Sequence, residues 1–225
     1  DCGTLGVAEN RNKPDSRLIA LPVWRIKATS ADPLQPIFWL EGGPGHANEA
    51  IYPSDGLLER HDFVVVGYRG VEGQVVLECP EVGDAIDATT DNLLGEASLA
   101  AYGRSAADCG TRLGAEGIDL DGYSMNQVVE DVETVRVALG YDRINLYGNS
   151  YGTRLQMIYQ WRYPHNVHRV AMVAVNPPGH FIWDPVDTEK LLGRYAALCA
   201  EDVYCSGRTT DLIATMKDVA RAMPK

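Results

Sequence analysis

Gly148-Asn149-Ser150-Tyr151-Gly152 sets a serine between two glycines, behind a short apolar run at 144–147 and ahead of a segment of helical pattern. A strand that turns sharply into a helix holds its middle residue in a strained conformation and lifts that side chain clear of the sheet edge. A Cβ at either flanking position meets the neighbouring strand or helix, so both flanks are glycine. The first N–H groups of the helix face the same point and favour negative charge on an attacked carbonyl oxygen. The chemistry on offer is nucleophilic attack by the Ser150 hydroxyl. A second stretch matches it: residues 36–40 read as a buried strand that runs into Glu41-Gly42-Gly43-Pro44-Gly45-His46, a loop able to bring bare backbone close to a ligand. One oxyanion donor from such a loop and one from the residue after the nucleophile gives Gly43 and Tyr151, since Pro44 has no N–H. A phosphate cradle is the rival reading of the loop, but no Gly-Lys-Ser/Thr follows and the dinucleotide spacing is absent.

The elements that must hold these residues are legible as alternating patterns. Buried strands are expected near 37–40, 63–67, 143–147 and 168–175, separated by helical patterns, which predicts a largely parallel sheet with helices on both faces. A further strand is expected at 18–27, where Pro22 suggests an edge or bulge position. Ser124 and Gln127 form a capping-box pattern opening a helix whose Met125, Val128, Val129, Val132, Val135 and Leu139 recur at helical spacing, with Gly140 ending it. Residues 92–115 read as a looser amphipathic helix burying Leu93, Leu94, Leu99, Tyr102, Ala106, Cys109 and Leu113. The helix after Ser150 carries Tyr159, Trp161 and Tyr163, which suit packing better than a substrate pocket, and Pro164 stops it. Two more helical patterns follow at about 187–200 and 209–223, with no strand after them.

Length and composition narrow the function classes. The chain has 225 residues, with 31 acidic against 20 basic and a net charge of −11. The basic residues are scattered, which speaks against a nucleic-acid partner. No apolar run approaches the ~18 residues of a membrane span, and no basic-then-apolar leader opens the chain, as expected of a cytosolic chain or a mature exported one. Of the five cysteines, Cys199 and Cys205 are spaced to suit a small disulfide-closed loop, while Cys2, Cys79 and Cys109 are scattered and their pairing stays open. Five reduced core thiols are the alternative. No C-x-x-C occurs, so neither a zinc knuckle nor a thioredoxin-like pair is supported.

Gly42-Gly43-Pro44-Gly45, Tyr68-Arg69-Gly70, the segment 77–80, Gly148 through Gly152 with Thr153, and Asn176-Pro177-Pro178 together resemble the proline iminopeptidase and tripeptidyl aminopeptidase branch of the α/β-hydrolases. The opening Cys2-Gly3-Thr4-Leu5 is similar to the start of the exported bacterial members. Gly67 and Gln74 depart from the family's acidic or amide residue and its serine. The resemblance implies an α/β-hydrolase fold and Ser150 as the acylated nucleophile. It implies Gly43 and Tyr151 as oxyanion donors, a lid disulfide Cys199–Cys205, and a secreted or cell-envelope location. It further implies action on peptide N-termini or small esters, with no cofactor.

In such a fold the triad acid and base follow the nucleophile on loops after two further strands. The chain is therefore expected to be the N-terminal core (1–178) plus the start of a helical lid (179–225), truncated before the last strands and catalytically incomplete alone. A C-terminal fragment or a second copy is expected to complete the sheet. An internal set of Ser150, His180 and Asp184 is a weaker option that no spacing requires. The competing function is a non-catalytic binding or scaffold protein that retains the fold.

Overall fold

In the computed structural model, which describes residues 1–49, 51–89, 92–179 and 184–223, the apolar runs become strands. They are β1 (Cys2–Ala8), β2 (Leu18–Ile26), β3 (Leu34–Leu40), β4 (His61–Val66), β5 (Ile144–Asn149) and β6 (Val167–Val173). They form a six-stranded sheet in the order β1-β2-β4-β3-β5-β6. The four strands read as parallel are parallel, and β1 and β2 extend the β4 side with antiparallel pairs. The helices are α1 (Asp55–Leu58), α2 (Pro80–Asp87), α3 (Glu96–Ala115), α4 (Met125–Ala138), α5 (Tyr151–Arg162), α6 (Pro185–Glu201), α7 (Val203–Ser206) and α8 (Leu212–Ala222).

Because successive strand side chains point to opposite faces, the central strands divide into two apolar layers. Phe38, Leu40, Val64, Val66 and Leu146 pack under α4 (Val128, Val129, Val132, Val135) and α5 (Leu155, Tyr159). Ile37, Trp39, Phe63 and Val65 form the opposite layer against Leu57 and Leu58 of α1 and its flank, Trp24 and Tyr147. Both faces carry helices, and α4 and α5 make the larger cover.

Several sequence expectations need correction. Pro22 lies in an internal strand, not at an edge. Its missing N–H is harmless because it stands just past the last β2–β4 pair, Val23 opposite Val66, and its carbonyl accepts from Gly67 N–H at 2.8 Å. A Cβ on Gly67 would lie 2.7 Å from Pro22 Cγ, which accounts for glycine there. The capping box at Ser124 does not form: its side chain makes no cap bond, and Gln127 Oε1 instead accepts from Arg11 at 3.0 Å. Leu93, Leu94, Leu99 and Ala106 are exposed, whereas Cys109 and Leu113 are buried. Leu93 and Leu94 precede the helix, which begins at Glu96 and not at 92, and α3 rests on α2 along one side, pinned by a Cys79–Cys109 disulfide and by Arg112 to Glu81 at 2.6 Å. Tyr159 is fully buried, but Trp161 is 80% exposed. Cys199 pairs with Cys205, which links α6 to α7, and Cys2 is free and exposed.

Candidate active site

The junction of β5 and α5 sets the site. Ser150 has φ 47° and ψ −113°, a conformation that L residues seldom adopt, and it is half-buried. Close packing on both sides dictates that backbone. A Cβ on Gly148 would lie 2.6 Å from the Leu40 carbonyl oxygen, and one on Gly152 would lie 1.9 Å from it. The strand end is therefore pressed onto β3 with no room for side chains, and the chain must turn outward at Ser150. Ser150 N–H donates to Val173 O at 2.9 Å, and its own carbonyl accepts from Thr153 Oγ1 at 2.6 Å. The neighbouring turn after β6 holds the other positive-φ non-glycine among the described residues, Ala174 at 53°.

The glycine loop comes to the same point from β3. Leu40 pairs with Gly148, so the residues that follow lie beside Asn149 and Ser150. A Cβ on Gly42 would stand 2.9 Å from Ser150 Cβ. Gly43 has φ +72°, and a Cβ there would lie 2.9 Å from the His46 ring. Among the described residues, Gly43 N–H and Tyr151 N–H donate to no loop or side-chain acceptor, whereas Gly42 N–H is taken by Glu41 Oε1 at 2.6 Å. Gly42 thus stands against the serine, and its neighbour Gly43 and the residue after the serine, Tyr151, keep unspent donors.

A polar scaffold that the sequence patterns did not flag fixes this loop. Asn48 is completely buried: its Oδ1 accepts from Glu41 N–H at 2.7 Å, and its Nδ2 donates to Trp39 O and Val66 O. Glu72 accepts from the backbone N–H groups of Asn48, Glu49 and Tyr68 at 2.7–2.9 Å. Tyr68 Oη donates to Glu41 O at 3.1 Å, and its ring meets Tyr151 edge-on. Burial, with the charges of Glu41 and Glu72 adding to it, pushes the Tyr68 phenol well above its ordinary range, so it stays a neutral donor. Beyond the serine, Asn176 ties the Asn-Pro-Pro run to α5: its N–H donates to Thr153 Oγ1 at 2.8 Å and its Oδ1 accepts from Arg154 at 2.7 Å. An isolated Asn or Glu carries no periodic signal; the one hint in sequence was their position next to the two glycine-bearing loops.

Among the described residues no side chain hydrogen-bonds Ser150 Oγ. His180 lies outside them. Asp184 is the N-cap of α6, its Oδ1 accepting from Val186 N–H at 2.8 Å. His168 sits at the start of β6, at the far end of the sheet from Ser150, because β6 begins opposite Ile144.

The profile of the alpha/beta hydrolase fold matches residues 36–202. The chain is 28% identical to serine protease Hip1 of Mycobacterium tuberculosis, over 91% of this chain and 42% of that protein. It is 27% identical to tripeptidyl aminopeptidase of Streptomyces lividans, over 93% of this chain and 40% of that protein. It therefore spans about two fifths of the length of these curated relatives. Similar solved structures include acetyl esterase MekB (15% identity, TM-score 0.49, covering 89% of this chain and 50% of that one). Another is mouse alpha/beta hydrolase domain-containing protein 10 (16%, TM-score 0.45, covering 87% and 59%).

Proposed function

The chain belongs to the α/β-hydrolase fold family, and from that premise we propose that it is the nucleophile-bearing part of a serine hydrolase acting on peptide N-termini or small esters. The observation that carries the proposal is the strained backbone at Ser150, enforced by glycines packed on the Leu40 carbonyl, with the glycine loop against it at Gly42 and the N–H groups of Gly43 and Tyr151 without loop or side-chain acceptors among the described residues. In this reading Ser150 Oγ attacks the carbonyl, the two N–H groups hold the tetrahedral oxyanion, and an acyl-enzyme forms. Similarity to a serine protease and a tripeptidyl aminopeptidase supports peptide over other acyl substrates.

The general base belongs, in this proposal, to polypeptide outside the chain's described residues. The open side of β6 is where it enters: among the described residues β6 ends the sheet order and pairs with β5 alone, and Val173 is half exposed. A C-terminal fragment or a second copy pairs there. Helices α6 to α8 are the beginning of the lid over the site. Two disulfides support an exported protein, since such bonds persist in oxidising compartments; no helix among the described residues is long and apolar enough to cross a membrane.

A fluorophosphonate probe tests the proposal on the natural full-length protein. It is expected to label Ser150, and Ser150→Ala is expected to abolish both labelling and ester hydrolysis, with a loss of up to about 10⁶ in rate. A correctly folded full-length protein that never labels favours a non-catalytic scaffold.

A further inference from the structure

Glu41 is the one carboxylate on the glycine loop that runs past the nucleophile, and the loop's own structure leaves most of it unused. Its Oε1 accepts from Gly42 N–H at 2.6 Å and lies 3.5 Å from Asn149 Nδ2, in the residue next to Ser150. Its Oε2 receives no hydrogen bond among the described residues, and no Lys, Arg or His there pairs with it. Glu72, by contrast, is consumed by three backbone donors. The mount of Glu41 is rigid, because Asn48 holds its N–H and Tyr68 holds its carbonyl.

A neutral amide oxygen at this position would accept from Gly42 N–H as well, so the loop itself does not call for the charge. Beside an oxyanion site the fixed negative charge also opposes the charge that develops during attack, unless the substrate brings a cation of its own. The α-ammonium of a free peptide N-terminus is such a cation, and it lies within a few residues of the attacked carbonyl in any short N-terminal unit. We infer that Glu41 is a specificity-determining residue that receives the substrate's α-ammonium, so that a free amino terminus is selected over a blocked one. The inference rests on the hydrolase reading above and names the substrate class of that site.

The test uses the full-length protein with alanyl- and trialanyl-7-amido-4-methylcoumarin, each with a free and an N-acetylated terminus. The parent is expected to favour the free amine, and Glu41→Gln is expected to lower that preference, measured as the ratio of kcat/KM values, at least tenfold. An unchanged ratio, in a protein whose turnover depends on Ser150, overturns the inference and leaves the hydrolase reading standing. Acetylation removes the ammonium without touching the protein, so a parent with no preference for the free amine overturns it even where the variant folds poorly. Turnover that survives Ser150→Ala, or none at all, sinks the hydrolase reading instead. Calorimetry with alaninamide against N-acetylalaninamide then decides Glu41 alone: a preference for the amine that Glu41→Gln removes supports the ammonium site, and equal binding overturns it.

Discussion

Ser150 pays in backbone strain for a position that its hydroxyl does not need for folding. A side-chain-bearing residue at φ 47° and ψ −113° costs about 1–3 kcal/mol, and the Cβ-intolerant packing of Gly148 and Gly152 prevents it from relaxing. Glycine adopts such angles freely but loses about 0.5–1 kcal/mol more conformational entropy on folding. Ser150→Gly is therefore expected to raise stability by about 1 kcal/mol while removing the nucleophile. Urea unfolding of the two proteins side by side checks this; a variant less stable than the parent shows that the junction is not strained as its angles imply.

At the scale of elements, two carboxylates of α4 hold α5: Glu130 pairs with Arg162, and Glu133 gathers four bonds. Glu133 of α4 accepts from Arg136 at 2.7 and 2.8 Å, from Tyr159 Oη at 2.6 Å and from Asn166 at 3.0 Å. Burial alone would raise its pKa, but the bonds from Arg136 and Tyr159, the Arg136 charge and the Asn166 bond outweigh that and hold it below the ordinary 4.5. With the folded value depressed, the stabilisation is fully present above about pH 4.5 and is lost as pH falls through the lower folded value. Glu133→Gln is expected to cost about 1.5–3 kcal/mol at neutral pH and much less at pH well below the folded value. Unfolding free energies measured from pH 7 down through a falling pH series give the difference, and a cost that never shrinks over the acid range assigns Glu133 a packing role. The element matters to the site because Tyr159 anchors the helix whose first residue is Tyr151.

Over the whole molecule, Arg69 gathers segments far apart in the chain. Fully buried, it pairs with Asp131 of α4 through Nε at 2.6 Å and Nη2 at 2.7 Å, and Nη1 donates to Glu9 O and Gly122 O at 2.6 and 2.7 Å. It thus ties the end of β1, the turn before α4 and the loop after β4 to one another. Arg69→Ala is expected to destabilise by about 3–5 kcal/mol, because among the described residues Asp131 keeps only Arg11 as a partner. Arg69→Lys should recover little of that, since an ammonium cannot reproduce the two-pronged contact. Thermal melts of both variants check the order; a lysine variant as stable as the parent means that charge alone suffices there.

Repeating patterns and local stereochemistry were enough for the sequence to determine the parallel strands, the α4 register, the Ser150 elbow between two glycines and the glycine loop after β3. Each is written in residues adjacent in the chain or spaced by a fixed period, and Gly148 and Gly152 announce a close approach wherever they occur. Only the tertiary structure decided what those glycines approach, namely the Leu40 carbonyl, and what the isolated polar residues do. Asn48, Glu72 and Asp131 look like ordinary loop or helix-surface residues in one dimension, yet folding buries them, the first two under the glycine loop and the third against Arg69. The same holds for Cys79 with Cys109, for the missing capping bond at Ser124, and for Pro22 opposite Gly67. A buried polar group is stable only beside its partner, and these partners lie up to 120 residues away, a distance no local pattern encodes.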